Sequence, residues 1–575
     1  MDEQVTDKHP DAVMLRLAQA IAPVAAELRR AAAVSAVAAL LWLPQAGCVA
    51  WLLGALLAGT AGPWDGAVAA AGFAGVGLAR ILLQFDVDRR LAQAADLVLA
   101  RERAALVARA GRQAPMAAGP GSADLAALAV EKTELLRPYI TRYQPAFLRT
   151  AVVPLVILAV AAWKSWVVAA ILLVSGPLIP VFMALVGMAA QQASERQMDE
   201  IGSLNDLLLE RLQALVDIRL LDASSRVAAQ FSDRAEALRT RTMAVLRVAF
   251  LSSAVLELFA AIGVAMVAVY VGFALLGILR FGAWGTPLTP AEGVFLLLLA
   301  PEFFQPLRDL AAAWHDKAAA TAVARDLARA EAADQIPLVG TGGGAVALAG
   351  PASIRLSGVA AELAAGRSVG FPDFAIYAGE CVAITGPSGR GKSVLLALIA
   401  GLWPAARGQI VVAGQGLSPD TADAWRHRIG WIPQAPHFAA TSLRANLRQA
   451  APGASEAEIV AALRLARADE VVARLPRGLL TRLGDTGAGV SGGEARRLMI
   501  ARAALARVDV ILADEPTANL DATTAGAVTA GLLQLARGGA TLIVATHDDI
   551  LAARMDRRID LGPALDTGPV PGGAA

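Results

Sequence analysis

The sequence has little cysteine, little histidine, few aromatic residues and little charge. Its 575 residues include two cysteines, Cys48 and Cys381, in different halves of the chain. That spacing excludes a disulfide framework and a cysteine metal cluster, and both residues read as small apolar side chains. Charged residues make up only 18%, with 51 Lys plus Arg against 50 Asp plus Glu. The net charge of +1 provides no basic field of the kind that draws a protein to nucleic acid, so no nucleic-acid partner is expected. What is present in abundance is apolar: 56% of the residues, at a mean hydropathy of +0.54. Such a composition excludes a disordered chain and points to membrane insertion, and the length favours two domains or more.

Residues 1–30 mix Asp2, Glu3, Lys8, Arg16 and Glu27 with apolar residues at helical spacing and lack the basic-then-apolar order of a cleavable signal. They are expected to form an amphipathic helix on the membrane surface. Apolar runs follow at about 31–60, 64–85, 145–163, 166–190, 250–279 and 288–310. Each suits a helical span of about 20 residues, which predicts six transmembrane helices. Long charged helical stretches separate the second run from the third and the fourth from the fifth, with arginines such as Arg101, Arg103, Arg226 and Arg234. Basic residues concentrate on the cytoplasmic side, so both stretches and both termini are expected there. For most single arginines a solvated helix face is the simpler reading.

At 331–350 the composition shifts to Gly, Ala and Pro, the mark of a linker. Beyond it, over 351–575, β-rich runs at 381–385, 510–513 and 541–545 alternate with helical patterns. The expected architecture is therefore an all-α six-helix transmembrane domain over 1–330, followed by an α/β P-loop nucleotide-binding domain. The P-loop is Gly386, Pro387, Ser388, Gly389, Arg390, Gly391, Lys392 and Ser393, placed between an expected strand and an expected helix. Glycines let backbone N–H groups curl around phosphates, Lys392 can reach the β and γ phosphates, and Ser393 can offer its hydroxyl to Mg²⁺. Downstream, an apolar strand ends in Asp514 and Glu515. Asp514 can hold the Mg²⁺ shell, and Glu515 can orient and deprotonate an attacking water.

Just before that strand, Val490, Ser491, Gly492, Gly493 and Glu494 open a helix and can present N–H groups to a γ phosphate. This run resembles the signature of ATP-binding-cassette (ABC) proteins. The resemblance implies a nucleotide sandwiched between two cassettes, so that Ser491 to Glu494 would serve the partner's P-loop. It assigns Gln434, in Trp431-Ile432-Pro433-Gln434, to a loop that joins Mg²⁺ to the membrane domain. It also assigns Ala518-Asn519-Leu520-Asp521 to the loop that crosses the dimer interface, and His547 to the switch histidine. Two departures stand out. Leu363 takes the place of the usual adenine-stacking aromatic, a role that Phe371 could supply instead, and the signature begins with Val490 and ends in Glu494 instead of Leu and Gln.

Spans followed by one cassette resemble an exporter half-transporter, which needs a second half. Coupling helices are expected near 122–128 and 213–220. Residues 252–259, 269–273, 299–310 and 314–318 are similar to the CydD-type subunits of bacterial thiol-reductant exporters. That likeness implies a heterodimer with a CydC-type partner in the bacterial inner membrane. Its activity would be ATP-driven export of cysteine and glutathione to the periplasm, in support of redox balance and cytochrome assembly. Haem has been linked to the family; of the five histidines, His9, His315, His427, His437 and His547, only His315 lies close to a span, at a solvated helix position, and no haem ligand is assigned.

A small charged substrate needs ionisable groups along its path, and groups of this kind inside spans are functional suspects. They are Arg80, Gln84, Glu257, Glu302, Gln305 and Arg308, with Asp309 beside them. An arginine such as Arg80 or Arg308 could bind a carboxylate bidentately. Internal ion pairing is an equal reading for the acids and Arg308 near the end of the last span. Two further functions compete: a homodimeric exporter of lipid, drug or peptide, and a nucleotide-sensing membrane subunit that does not pump. Intact Lys392, Glu515 and His547 argue against the latter.

Overall fold

The computed structural model describes residues 10–114, 122–179, 211, 214–285, 287–332, 336–343, 346–363, 367–484 and 489–562. Parts of the expected N-terminal helix, the fourth span beyond Ile179, the start of the second coupling helix, and His9 and Gly344 lie outside the described residues. The chain divides into two compact units, Met1–Ala105 with Ser122–Ala332, and Leu106–Gly121 with Ala333–Ala575.

The first unit is helical. Four described helices are long and apolar enough to cross a membrane: Ala12–Leu57, Asp65–Ala110, Asp124–Lys164 and Ala254–Leu275. An apolar helix at Trp166–Ile179 is shorter, and the last apolar run lies within a helix that continues through Pro301 and Pro306 from Pro290 to Ala332. Helices therefore extend well past the apolar runs, because helical hydrogen bonding continues where hydropathy drops. The charged stretch after the second run, for example, is the same helix as the run itself, Asp65–Ala110. Short helices also stand at Ser122–Ala127 and Leu215–Leu220, where coupling helices are expected.

Small residues let these helices approach closely. A Cβ on Gly54 would lie 2.5 Å from that of Ala291, and Gly263 faces the Phe304 ring. Phe304 is fully buried and meets Phe303 edge to face, with 5.0 Å between ring centroids. Large apolar side chains such as Trp51, Phe85, Leu155, Trp163 and Val269 point outward, as lipid-facing residues do. Arg16 ties the N-terminal helix to Glu102 and Glu331 on two others.

The second unit is α/β. Strands β1 (Ile354–Glu362), β2 (Ser368–Gly370), β3 (Phe374–Ile376), β5 (Arg407–Val412) and β6 (Gln415–Gly416) form an antiparallel sheet in which β1 pairs with β2, β3 and β5. Strands β4 (Cys381–Thr385), β7 (Ile429–Ile432), β8 (Val510–Asp514), β9 (Thr541–Ala545) and β10 (Arg557–Asp560) form a parallel sheet in the order β10-β4-β9-β8-β7. Strands β8 and β9 are buried along their whole length, as expected of a parallel sheet covered on both faces. The C-terminal ends of β4, β8 and β9 lie side by side, the place where parallel α/β sheets bind ligands.

The described residues 336–343 and 346–350 of the expected linker are held within this unit. Their backbone N–H groups find acceptors: Leu338 donates to the Arg112 carbonyl (2.9 Å), Val339 to Gly401 (3.2 Å) and Leu348 to Ala424 (3.0 Å). Gln113 and Pro337 form an antiparallel bridge, and Ala114 is buried in the core of the unit.

Candidate functional site

The P-loop joins the end of β4 to the helix Lys392–Ile399. Gly391, the residue before that helix, has φ of +90°, a left-handed conformation that favours glycine, and its Cα side faces Val369 and Phe371. The Lys392 ammonium donates to the carbonyls of Gly386 (3.0 Å) and Pro387 (3.3 Å) and lies 3.7 Å from Glu515 Oε1. Arg390 has its side chain turned away from the loop mouth. It is buried, stacks over Phe371, and donates to the carbonyls of Gly370 (2.9 Å) and Leu561 (3.2 Å). Only its backbone remains for phosphate. Phe371 is itself buried beneath the loop, so the expectation that it supplies the adenine-stacking ring is corrected: its ring holds Gly391 and Arg390.

At the end of β8, Asp514 is buried and bonded to Ser393, while its Oδ1 has no hydrogen-bond partner. Burial pushes the Asp514 carboxyl above its ordinary range and the Glu515 charge adds to this, while the Ser393 bond and the Lys392 charge oppose it. A buried carboxylate oxygen left unpartnered beside a serine hydroxyl is a donor set suited to a hard divalent cation, so these residues fit Mg²⁺. Glu515 follows at φ +44°, a strained conformation of the kind found at functional sites. Its N–H is fixed by the Ala545 carbonyl (2.8 Å), and its Oε2 lies 2.8 Å from His547 Nδ1. Glu515 thus stands between Lys392 and His547, brought together from β4, β8 and β9.

The remaining motif residues lie on other elements. Ser491 caps the helix Gly492–Leu505 in a reciprocal box with Glu494, whose carboxylate accepts from the Ser491 N–H (2.7 Å) and pairs with Arg474 (2.7 Å). Glu494 is therefore engaged in holding the helix start, while Ser491 and Gly492 are exposed. Asp521 caps the helix Ala522–Ala536 by accepting from Thr523 and Thr524, both at 3.0 Å. Gln434 is exposed at the end of β7. Arg496, which the motifs did not single out, is buried and donates to the carbonyls of Gln434 (3.2 Å) and Ala518 (2.8 Å). It fastens two of the candidate loops to the signature helix.

In the membrane unit the six candidate pathway residues are engaged with one another or with acids beside them. Arg80 is 3.5 Å from Glu302 and lies over Trp42, Gln84 donates to Asp88 (2.8 Å), and Arg308 reaches both Glu257 (3.2 Å) and Gln305 (2.7 Å). Internal pairing, the reading set equal to substrate binding, describes these side chains. Gln305 also donates to Asp309 (2.8 Å), whose other oxygen faces Arg149 at 3.6 Å. Arg149 was not among the candidates, because it sits inside a run read only as apolar.

A P-loop after a parallel strand, paired acids at the end of a second and a histidine after a third define a P-loop ATPase domain, here following a helical membrane unit. Comparison with known proteins narrows this class. The ABC transporter family model matches residues 372–518, and that of the ABC transporter transmembrane region matches 33–289. The transport ATP-binding protein AarD of Providencia stuartii is 40% identical over 75% of this chain and 73% of its own length. The glutathione/L-cysteine transport system ATP-binding/permease protein CydD of Escherichia coli is 37% identical over 77% of this chain and 76% of its own. The corresponding CydC of Bacillus subtilis is 32% identical over 70% and 69%. A bacterial Atm1-family ABC exporter with ATP bound shares the fold, with a TM-score of 0.72 at 20% identity, over 93% of this chain and 94% of that one. The chain belongs to the ABC transporter family, as a half-transporter of the CydD type. It is accordingly a multi-pass membrane protein with an ATP-binding domain that couples hydrolysis to transport.

Proposed function

We propose that this chain is one half of a heterodimeric exporter that moves cysteine and glutathione-type thiols from cytoplasm to periplasm, supporting periplasmic redox balance and cytochrome assembly. Six spans cross the inner membrane, the ATP-binding domain and both termini face the cytoplasm, and a CydC-type half completes the nucleotide sandwich. The substrate class rests on the likeness to the CydD proteins of glutathione/L-cysteine transport systems; the ATPase assignment rests on Glu515, whose two oxygens face Lys392 and His547.

In the proposed reaction the P-loop N–H groups and Lys392 bind the phosphates, Lys392 exchanging its bonds to Gly386 and Pro387 for phosphate oxygens. Mg²⁺, held by Ser393, Asp514 and Gln434, would supply charge neutralisation on the β and γ phosphates. Glu515 orients a water and takes its proton as the water oxygen bonds to the γ phosphorus and the bond to the β-bridging oxygen breaks, releasing ADP. His547 holds the Glu515 carboxylate and contacts the γ phosphate, while Ser491 to Glu494 and Asp521 serve the partner's site. ATP binding draws the cassettes together and hydrolysis lets them part, giving alternating access.

Uptake of labelled glutathione and cysteine into inside-out vesicles tests this, with and without the CydC-type half. Accumulation is expected only with ATP and both halves. Glu515→Gln should retain ATP binding and slow hydrolysis at its own site by about 100-fold or more. Unchanged hydrolysis there refutes the role of general base, and ATPase activity of this chain alone without thiol uptake favours the homodimeric reading.

A further inference from the structure

Residues 84–91, 141–149 and 309–313 surround a cavity of about 270 Å³ in the membrane unit. It lies where the second apolar run ends, the third begins and the last closes, the level at which spans give way to charged extensions. Its charged lining is Asp88, Arg142, Arg149 and Asp309, with the uncharged polar side chains of Ser35, Gln84 and Thr141 beside them. Two cations and two anions share one small space at the edge of a membrane core, where unsatisfied charge is costly.

The acids and the arginines are not held equally well. Asp88 accepts from Gln84 and Asp309 from Gln305, each at 2.8 Å. Arg149, by contrast, reaches Asp309 only at 3.6 Å, and its buried Nε has no hydrogen-bond partner. Arg142 stands 3.8 Å from Asp316. The carboxylates are fixed in place while both guanidinium groups retain donors for a further acceptor. Arg142 and Arg149 are also two helical turns apart, which puts them on one face.

We propose that this cavity recognises an α-amino carboxylate group, an ammonium and a carboxylate on the same carbon. Arg149 and Arg142 take the carboxylate through charge-assisted hydrogen bonds, and Asp309 and Asp88 take the ammonium. The balanced lining matches a zwitterion and disfavours a plain dianion, and the volume, near the lower limit of about 300 Å³ for small-ligand pockets, suits an amino acid or short peptide, not a lipid. The assignment rests on the thiol-export reading and deepens it. Cysteine and glutathione both carry this group, glutathione at its γ-glutamyl end, but place their thiols at different distances from it. One transporter would therefore serve both substrates by reading the head group and not the sulfur.

The test is ATP-dependent uptake of labelled glutathione by vesicles carrying the complete two-half transporter, with competitors in excess. S-methylcysteine, which keeps the head group but no free thiol, should compete as cysteine does. N-acetylcysteine and cysteamine, which keep the thiol but lose the ammonium or the carboxylate, should not. Arg149→Gln should raise KM for glutathione by about tenfold or more with a smaller change in kcat, and Arg149→Lys should recover part of the loss. Competition by N-acetylcysteine equal to that of cysteine, or an unchanged KM in Arg149→Gln, overturns the head-group assignment and leaves thiol export standing. Absence of uptake by the unmodified transporter overturns the export reading and this site with it. Because the competitors act on the unmodified protein, the outcome does not depend on the folding of a variant.

Discussion

Asp423 shows how much one carboxylate can organise. It accepts from the Thr341 hydroxyl (2.7 Å), the Thr341 N–H (2.9 Å) and the Gly342 N–H (3.0 Å), and it pairs with Arg426, which donates to the carbonyls of Val339 and Gly401. Burial alone would push its carboxyl up. The bonds from Thr341 and Gly342 and the Arg426 charge outweigh burial and hold it far below the ordinary carboxylate range. A group whose folded value is depressed stabilises the fold fully above its unfolded value, about 3.9, and loses that contribution as the pH falls through the folded value. Asp423→Asn should therefore lower the Tm of the ATP-binding domain by a constant amount between about pH 6 and pH 8, with the gap to wild type narrowing below about pH 4. A gap that persists unchanged in acid would show that charge is not what Asp423 contributes. None of this was legible in the sequence, where Gly340, Gly342, Gly343 and Gly344 belong to the stretch read as a linker. A glycine-rich segment exposes backbone donors, and whether it is flexible depends on an acceptor that only the fold supplies. Arg390 teaches the same lesson from a motif: its place in the P-loop was plain, but not that its side chain leaves the loop to bond Gly370 and Leu561.

Among elements, those defined by period and punctuation were readable. The runs 381–385, 510–513 and 541–545 correspond to strands Cys381–Thr385, Val510–Asp514 and Thr541–Ala545, since buried parallel strands are short apolar stretches bounded by polar turns. The ends of the membrane helices were not readable, because an apolar run marks the lipid and not the helix. Arg149 was missed for the related reason that a single cation inside an apolar run stands out only once neighbouring helices show what it faces; its spacing of seven from Arg142 was the available signal. Contact between elements was equally hidden at Gly493. A Cβ there would come within 2.1 Å of Thr524 Cγ2, so the helix Gly492–Leu505 can lie against Ala522–Ala536 only because the residue is glycine. Gly493→Ala should cost about 1–3 kcal/mol through overpacking and reduce ATPase activity by shifting the signature relative to Asp521. Adding Thr524→Ser, which removes the obstructing methyl and keeps the hydroxyl that bonds Asp521, should restore most of the Tm. If the double variant is no more stable than Gly493→Ala, the close approach is not the cause.

For the whole molecule, the division into units does not follow the order of the chain. The ATP-binding unit takes in residues 106–121, which precede most of the membrane helices, as well as everything from Ala333 onward. Two backbone hydrogen bonds of 2.9 Å hold this crossing in place, Ala114 N–H to Ile336 and Leu338 N–H to Arg112, and Ala114 is only 3% exposed. A chain that leaves the membrane unit, lends a segment to the ATPase core and returns makes that core depend on a distant stretch of sequence. Ala114→Asp would place a charge in that core without a partner, at a cost of roughly 3–5 kcal/mol. For a domain of this size that corresponds to about 2–4 °C for each kcal/mol. The full-length variant should therefore lose ATPase activity at a lower temperature than wild type and be cut faster by chymotrypsin after Leu338, while Ala114→Ser, small and uncharged, should stay near wild type in both. Should Ala114→Asp match wild type in inactivation temperature and in cleavage rate, residues 106–114 are not part of the folded ATPase core. The linker would then connect the two halves of the chain as the loose spacer its glycines suggest.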